Sequence, residues 1–284
     1  MIRNRGPKTR VAIGIALAAI LATGRAIAQS TQEAPASEPT PTPEPTRPPE
    51  GSRIINLPST EVPAAGTLGV LFTHRFKKTL GESNARNLFS LDSGADDDFG
   101  VSYSPWTNLE VSFDRSSIDA DYELAAKYCF LPMEPNRPFA LTLRVGGDAD
   151  TKEDIEDRQA FFAQGIASVA LGSRARITVV PTYVSNTSRF RNVFNVPVAV
   201  SLALTRSVNV HGEFVPKNRD YGASEFGWIV AVEKTVLRHR FSWTFGNLRA
   251  TTVDQYSASD PAGGRLSRGD VYMGFNIVRQ WKLK

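Results

Sequence analysis

Between Thr67 and Gln280 apolar and polar residues alternate in twelve short stretches, joined by connections that are by turns long and short. Leu109, Val111 and Phe113 alternate with Glu110, Ser112 and Asp114, and Phe241, Trp243 and Phe245 alternate with Arg240, Ser242 and Thr244. A period of two sends successive side chains to opposite faces, so each stretch predicts a strand with one greasy and one wet face. The predicted strands cover residues 67–76, 98–104, 107–115, 119–131, 139–147, 159–172, 174–184, 194–205, 208–216, 226–235, 239–246 and 270–280.

The connections narrow the architecture. Long polar segments (77–97, 148–158, 185–193, 217–225, 247–269) follow the odd-numbered strands, apart from a brief 116–118 after the third. Short ones (Pro105-Trp106, 132–138, Ser173, Arg206-Ser207, 236–238) follow the even-numbered strands. This rhythm predicts an all-β fold: a closed antiparallel up-and-down transmembrane β-barrel of about 12 strands, with short periplasmic turns and long extracellular loops. Strands of about nine to twelve residues, tilted by roughly 45°, span on the order of 25 Å, the height of an outer-membrane hydrocarbon layer. Pattern alone does not separate inside from outside, and a soluble lipocalin-like carrier or sandwich would hide its apolar face inward. Polar alternates on every strand, many of them charged, speak for the membrane, which requires Leu109, Val111 and Phe113 to point outward.

The N-terminus changes the picture of location. Arg3, Arg5, Lys8 and Arg10 precede the apolar run 11–22 and then Ala26-Ile27-Ala28. That is the form of a secretory signal peptide (1–28), too short to cross a bilayer as a helix. Residues 29–52 hold seven of the 18 prolines and predict a disordered Pro/Thr/Glu-rich tether, leaving 53–284 as the barrel domain. The pI near 9.2 is misleading. Loss of the signal removes five of 33 basic residues and leaves 28 against 29 acidic ones, so no basic footprint for nucleic acid remains. Cys129, the single cysteine, excludes an internal disulfide and reads as a packed strand position.

Ile55-Asn56-Leu57-Pro58-Ser59-Thr60-Glu61, Gly66-Thr67-Leu68 and His74-Arg75-Phe76 resemble the start of an uncharacterised bacterial family of β-barrel domains of unknown function, numbered five-seven-seven-seven. The resemblance continues through Phe89 with Leu91-Asp92, Tyr122-Glu123-Leu124, Pro181-Thr182-Tyr183, His239-Arg240-Phe241 and Gly274-Phe275-Asn276-Ile277. It implies an envelope barrel and supplies no reaction or ligand. Outer-membrane barrels commonly end on an aromatic residue, whereas Trp281 is followed by Lys282-Leu283-Lys284.

If Leu, Val and Phe face lipid, the lumen receives Arg75, Glu110, Asp114, Asp121, Glu123, Lys127, Arg144, Arg176, His211, Glu213, Glu233 and Arg240. Their signs nearly balance, which predicts an interior ion-pair network that closes or narrows the bore. A selective channel would show one sign in excess. A narrow diffusion pore and a catalytic arrangement remain open alternatives. His74, His211 and His239 lie on three separate strands without metal-site spacing, and no Gly-x-Ser-x-Gly turn occurs. No catalytic residue, metal or cofactor is expected, although His74 on an apolar face keeps an outer-membrane lipid-modifying enzyme as a rival. The acidic stretches 96–98 and 148–154 read as solvated loops without an EF-hand pattern. Tyr103, Trp106, Tyr183, Phe190, Tyr221 and Trp281 suit interfacial aromatic girdles. The expected protein is an exported outer-membrane barrel, porin-like or structural. Its partners would be outer-membrane lipid, lipopolysaccharide, the barrel-assembly machinery and, for a pore, a small solute.

Overall fold

The computed structural model describes residues 50–152, 158–187, 190–217, 226–257 and 270–283; the predicted signal and all but the last residues of the predicted tether lie outside them. The chain forms β1 (Thr67–Thr79), β2 (Ala95–Trp106), β3 (Leu109–Ser116), β4 (Asp121–Leu131), β5 (Phe139–Asp150), β6 (Arg158–Leu171) and β7 (Ala175–Val179). It continues with β8 (Thr182–Asn186), β9 (Arg191–Asn195), β10 (Val198–Ala203), β11 (Val208–Val215), β12 (Gly227–Val236), β13 (His239–Gly246) and β14 (Tyr272–Lys282).

These segments make twelve staves. β7 and β8 both pair with β6 and are one stave interrupted at Val180-Pro181, and β9 and β10 are another, interrupted at Val196-Pro197. Proline has no N–H to give a ladder, so each break falls where the sequence puts one. The Val180 amide donates to the Pro197 carbonyl at 2.8 Å and the Gly165 amide to the Pro181 carbonyl at 2.9 Å, so both staves stay attached across their breaks. The ring closes because β1 pairs antiparallel with β14 from Thr67↔Lys282 to Arg75↔Gly274, while β5 pairs with β6. No open edge remains, as a lipid environment demands. Among the described residues no helix is long and apolar enough to cross a membrane.

Burial is inverted relative to a soluble protein. Val111 and Phe113 are 40% and 46% exposed on the outer wall, while their neighbours Glu110 and Asp114 are 4% and 2% exposed. Tyr122, Leu124, Tyr128, Leu141, Leu143 and Val145 continue the greasy exterior, and Glu123, Lys127 and Arg144 are buried between them. Tyr103, Trp106 and Tyr183 are exposed at stave ends, in keeping with a girdle. Phe190 instead packs against an apolar cluster inside, and Tyr221 lies outside the described residues. Placing Arg at Phe113 should cost about 2–4 kcal/mol of folding free energy in lipid if that site lies near the midplane. Equilibrium unfolding from liposomes measures it, and an unchanged midpoint would contradict a lipid-facing Phe113.

Candidate functional site

The chain before β1 enters the barrel. Residues 50–61 form a hairpin in which Arg53 bridges to Pro58, the Ser59 amide donates to the Ser52 carbonyl at 3.0 Å, and the Ile54 amide donates to the Leu57 carbonyl at 2.9 Å. Ile54, Ile55 and Leu57 at the tip are 3%, 2% and 0% exposed, so this hairpin is a plug rather than a surface arm. Residues 50–52, placed in the predicted tether, instead belong to the plug: Glu50 is buried and paired with Arg176 at 2.7 Å.

Lumenal side chains hold the plug at three levels. At the short-turn end Arg176 reaches both Glu50 and Glu61, the latter at 2.8 Å, and Lys127 donates to the Ser52 and Glu61 carbonyls at 3.0 and 2.8 Å. Glu110 takes the Ser52 hydroxyl and lies 3.8 Å from Lys127. Midway, Arg53 meets Asp114 at 2.7 Å, Glu123 at 3.4 Å and Asp98 at 3.5 Å. Burial opposes the Arg53 charge, but the carboxylates of Asp114, Glu123 and Asp98 outweigh it and hold the guanidinium above its ordinary range. Arg240 donates to the Arg53 carbonyl at 3.2 Å.

At the tip, Glu213 accepts the amides of Ile55, Asn56 and Leu57 at 2.7, 3.0 and 2.9 Å. Arg75 bridges Asn56 Oδ1 (3.0 Å) and Asn276 Oδ1 (2.8 Å), and Asn276 donates back to the Ile55 carbonyl at 3.1 Å. Three adjacent amides converging on one carboxylate anchor the turn, because bonds to a charged acceptor are worth roughly twice neutral ones. Glu213→Gln, which keeps an acceptor and loses the charge, should destabilise the folded chain by about 1.5–3 kcal/mol. Urea unfolding in micelles reads this; an unaltered midpoint would mean that the tip does not depend on Glu213.

A second element descends from the long-loop end. After β13 the chain folds inward through Leu248 and Ala250 to a one-turn helix, Val253–Ser257, all of it buried. The Val253 amide donates to Glu123 at 2.9 Å, Gln255 donates to the Ile118 carbonyl at 3.0 Å, and Gln164 donates to the Tyr256 hydroxyl at 2.8 Å. Gln164 also accepts from Arg144 at 2.9 Å, and Arg144 pairs with Glu123. Burial pushes the Tyr256 phenol up, and it lifts Asp254 to about 6 even with Arg158 beside it. Ile54, Ile55 and Leu57 of the plug join Leu248, Val253 and Tyr256 of this loop, with Phe162, Val184, Val215 and Ile229 of the wall, in one apolar cluster within the barrel.

His211, Glu233 and Arg240 form a wall patch: His211 Nδ1 lies 2.9 Å from Ser201 Oγ, and Glu233 lies 3.7 Å from both His211 Nε2 and Arg240 Nε. All the predicted lumenal residues lie on the inner face, and most of them grip the plug or the inward loop rather than one another. Sequence reasoning missed Glu50, Arg53, Glu61 and Asp98, and used the block 55–61 only as a family landmark. The strand limits also shift: β2 begins at Ala95 and β5 runs to Asp150, so Asp98, Asp148 and Asp150 are buried wall residues rather than solvated loop. A cavity of about 50 Å³ lies beside Ser52, Arg53, Glu110 and Lys127, room for a few waters, while an open vestibule of about 790 Å³ lies at the short-turn end by Cys129 and Arg176.

A greasy exterior around a charged, plugged interior is a membrane barrel's arrangement, and residues 50–281 match the profile of a family described as membrane bound beta barrel domain (DUF5777). The chain belongs to this family. The matched region takes in residues 50–61 and so includes the plug with the barrel. Among solved structures, the NanC porin is similar at 9% identity and TM-score 0.45, covering 76% of this chain and 100% of that one. The outer membrane phospholipase of Salmonella typhi is similar at 12% identity and TM-score 0.43 (75% and 89% covered), and Omp33 of Acinetobacter baumannii at 10% and 0.41 (76% and 98%). A search of curated proteins finds no match.

Proposed function

We propose that the protein is an exported outer-membrane barrel held shut by its own N-terminal hairpin, serving as a structural or anchoring barrel without catalysis rather than as an open pore. The observation that carries this reading is the triple capture of Ile55, Asn56 and Leu57 by Glu213, which fixes the plug across the lumen. The mixed charge of the interior supports it, since the cations are spent on plug and wall carboxylates instead of lining a path of one sign. Against a lipid-modifying role stands the setting of His74: its Nδ1 meets Asp97 at 2.6 Å, its ring packs against Phe72, Phe76 and Phe275, and among the described residues no hydroxyl hydrogen-bonds to it.

In this reading the wall contacts outer-membrane lipid and lipopolysaccharide, the assembly machinery inserts it, and the segment before Glu50 tethers the plug on the periplasmic side. The purified chain in planar bilayers should show no steady conductance, and cell fractionation should place it with the outer membrane. A stable single-channel current from the intact chain would replace this reading with the diffusion pore and its small solute.

A further inference from the structure

We propose that Asp121, Asp150 and Asp254, with Asp148 beside them, bind one hard divalent cation of the calcium class at the long-loop end of the barrel. Asp121 opens β4 and faces Asp150 at the end of β5 in register, and the inward helix brings Asp254 against both. One oxygen from each of the three carboxylates lies within 4.8 Å of the others. Calcium–oxygen bonds of about 2.4 Å put ligands on opposite sides of the ion about 4.8 Å apart, so the spacing is that of a coordination shell.

Two further observations point to a ligand. Asp148, two residues before Asp150 on the same inner face, is 4% exposed, and neither of its oxygens has a hydrogen-bond partner. Asp148 lies opposite Glu123 in the β4–β5 register, and its carboxylate interacts electrostatically with Glu123, Asp254 and Asp121. Asp121 is 0% exposed, and neither of its oxygens has a hydrogen-bond partner either. Among the described residues the ion pairs of these four buried carboxylates are all with Arg158, which contacts Asp150 and lies 3.0 Å from Asp254. Glu123 beside them is a further carboxylate, and Arg144 and Arg53 are paired with it.

Buried charges of one sign are too costly to leave uncompensated, and a dication is the counter-charge that all-oxygen donors select. The Thr252 hydroxyl, 3.2 Å from Asp254, is a further oxygen at the site. The ion would staple the helix Val253–Ser257 to β4 and β5. The site stands whether or not the barrel conducts.

The test uses the chain refolded in micelles free of lipopolysaccharide, stripped with a chelator, and titrated with Ca²⁺ alone by equilibrium dialysis and thermal unfolding. The expected result is about one ion per chain and a rise in Tm. Asp121→Asn and Asp254→Asn should weaken uptake on the order of tenfold or more, while Glu134→Gln, on a short turn at the other end, leaves it intact. No saturable uptake of Ca²⁺ or Mg²⁺ at millimolar concentration, or uptake by Asp121→Asn equal to the parent's, overturns the proposal. Should a variant not refold, the parent's Tm with and without Ca²⁺ decides, and identical values overturn it.

Discussion

Deleting residues 50–63 should convert a silent barrel into a conducting one. The plug hairpin rises through the lumen from the short-turn end, where Arg176, Lys127 and Glu110 spend their hydrogen bonds on it, to a tip held by Glu213. A twelve-stave wall is wider than the eight-strand barrels whose side chains fill them, so removing an internal hairpin leaves an aqueous bore. Unitary conductance in planar bilayers should rise by about an order of magnitude or more over any background of the intact chain. With the plug gone, cationic Lys127, Arg176 and Arg240 and anionic Glu110 and Glu213 remain on the wall, so ion selectivity should be weak. A deletion variant as silent as its parent, and still barrel-shaped by circular dichroism and heat-modifiable migration, would show that the inward loop around Val253–Ser257 is a complete seal by itself. The plug would then lose its assigned role.

Arg53→Met is expected to be among the most damaging single substitutions. Its guanidinium lies within 3.5 Å of Asp114, Glu123 and Asp98. Asp114 and Asp98 are almost fully buried, and both Asp98 oxygens lack hydrogen bonds, so they depend on the nearby charge. Methionine matches the stem but withdraws the charge. Breaking a buried pair from one side costs about 3–5 kcal/mol, because the partner left behind is uncompensated. Equilibrium unfolding in micelles should show that loss, and Arg53→Met combined with Asp114→Asn should recover part of it, as coupled neighbours do. A single variant as stable as the parent would mean that the carboxylates are neutralised by another route.

The sequence by itself determined the wall. Alternation at Leu109–Asp114 and at Arg240–Phe245, together with the long–short rhythm of connections, is local information, because strand period and turn length are written into neighbouring residues. It also specified which residues line the lumen, since a period of two leaves one choice once the greasy face is assigned to lipid. Only the tertiary structure decided what fills that lumen. Arg53, Glu50 and Glu61 sit in a proline-flanked stretch with no period, and their partners lie tens to over a hundred residues away, as with Glu50 and Arg176. Burial of the block 55–61 depends on a ring closed by β1 and β14, whose ends are some 200 residues apart, and no window along the chain contains that closure. The same holds for Asp121, Asp150 and Asp254: in sequence the first reads as a lumenal strand acid and the other two as loop acids, and only the closed barrel and its inward helix bring the three carboxylates together away from water.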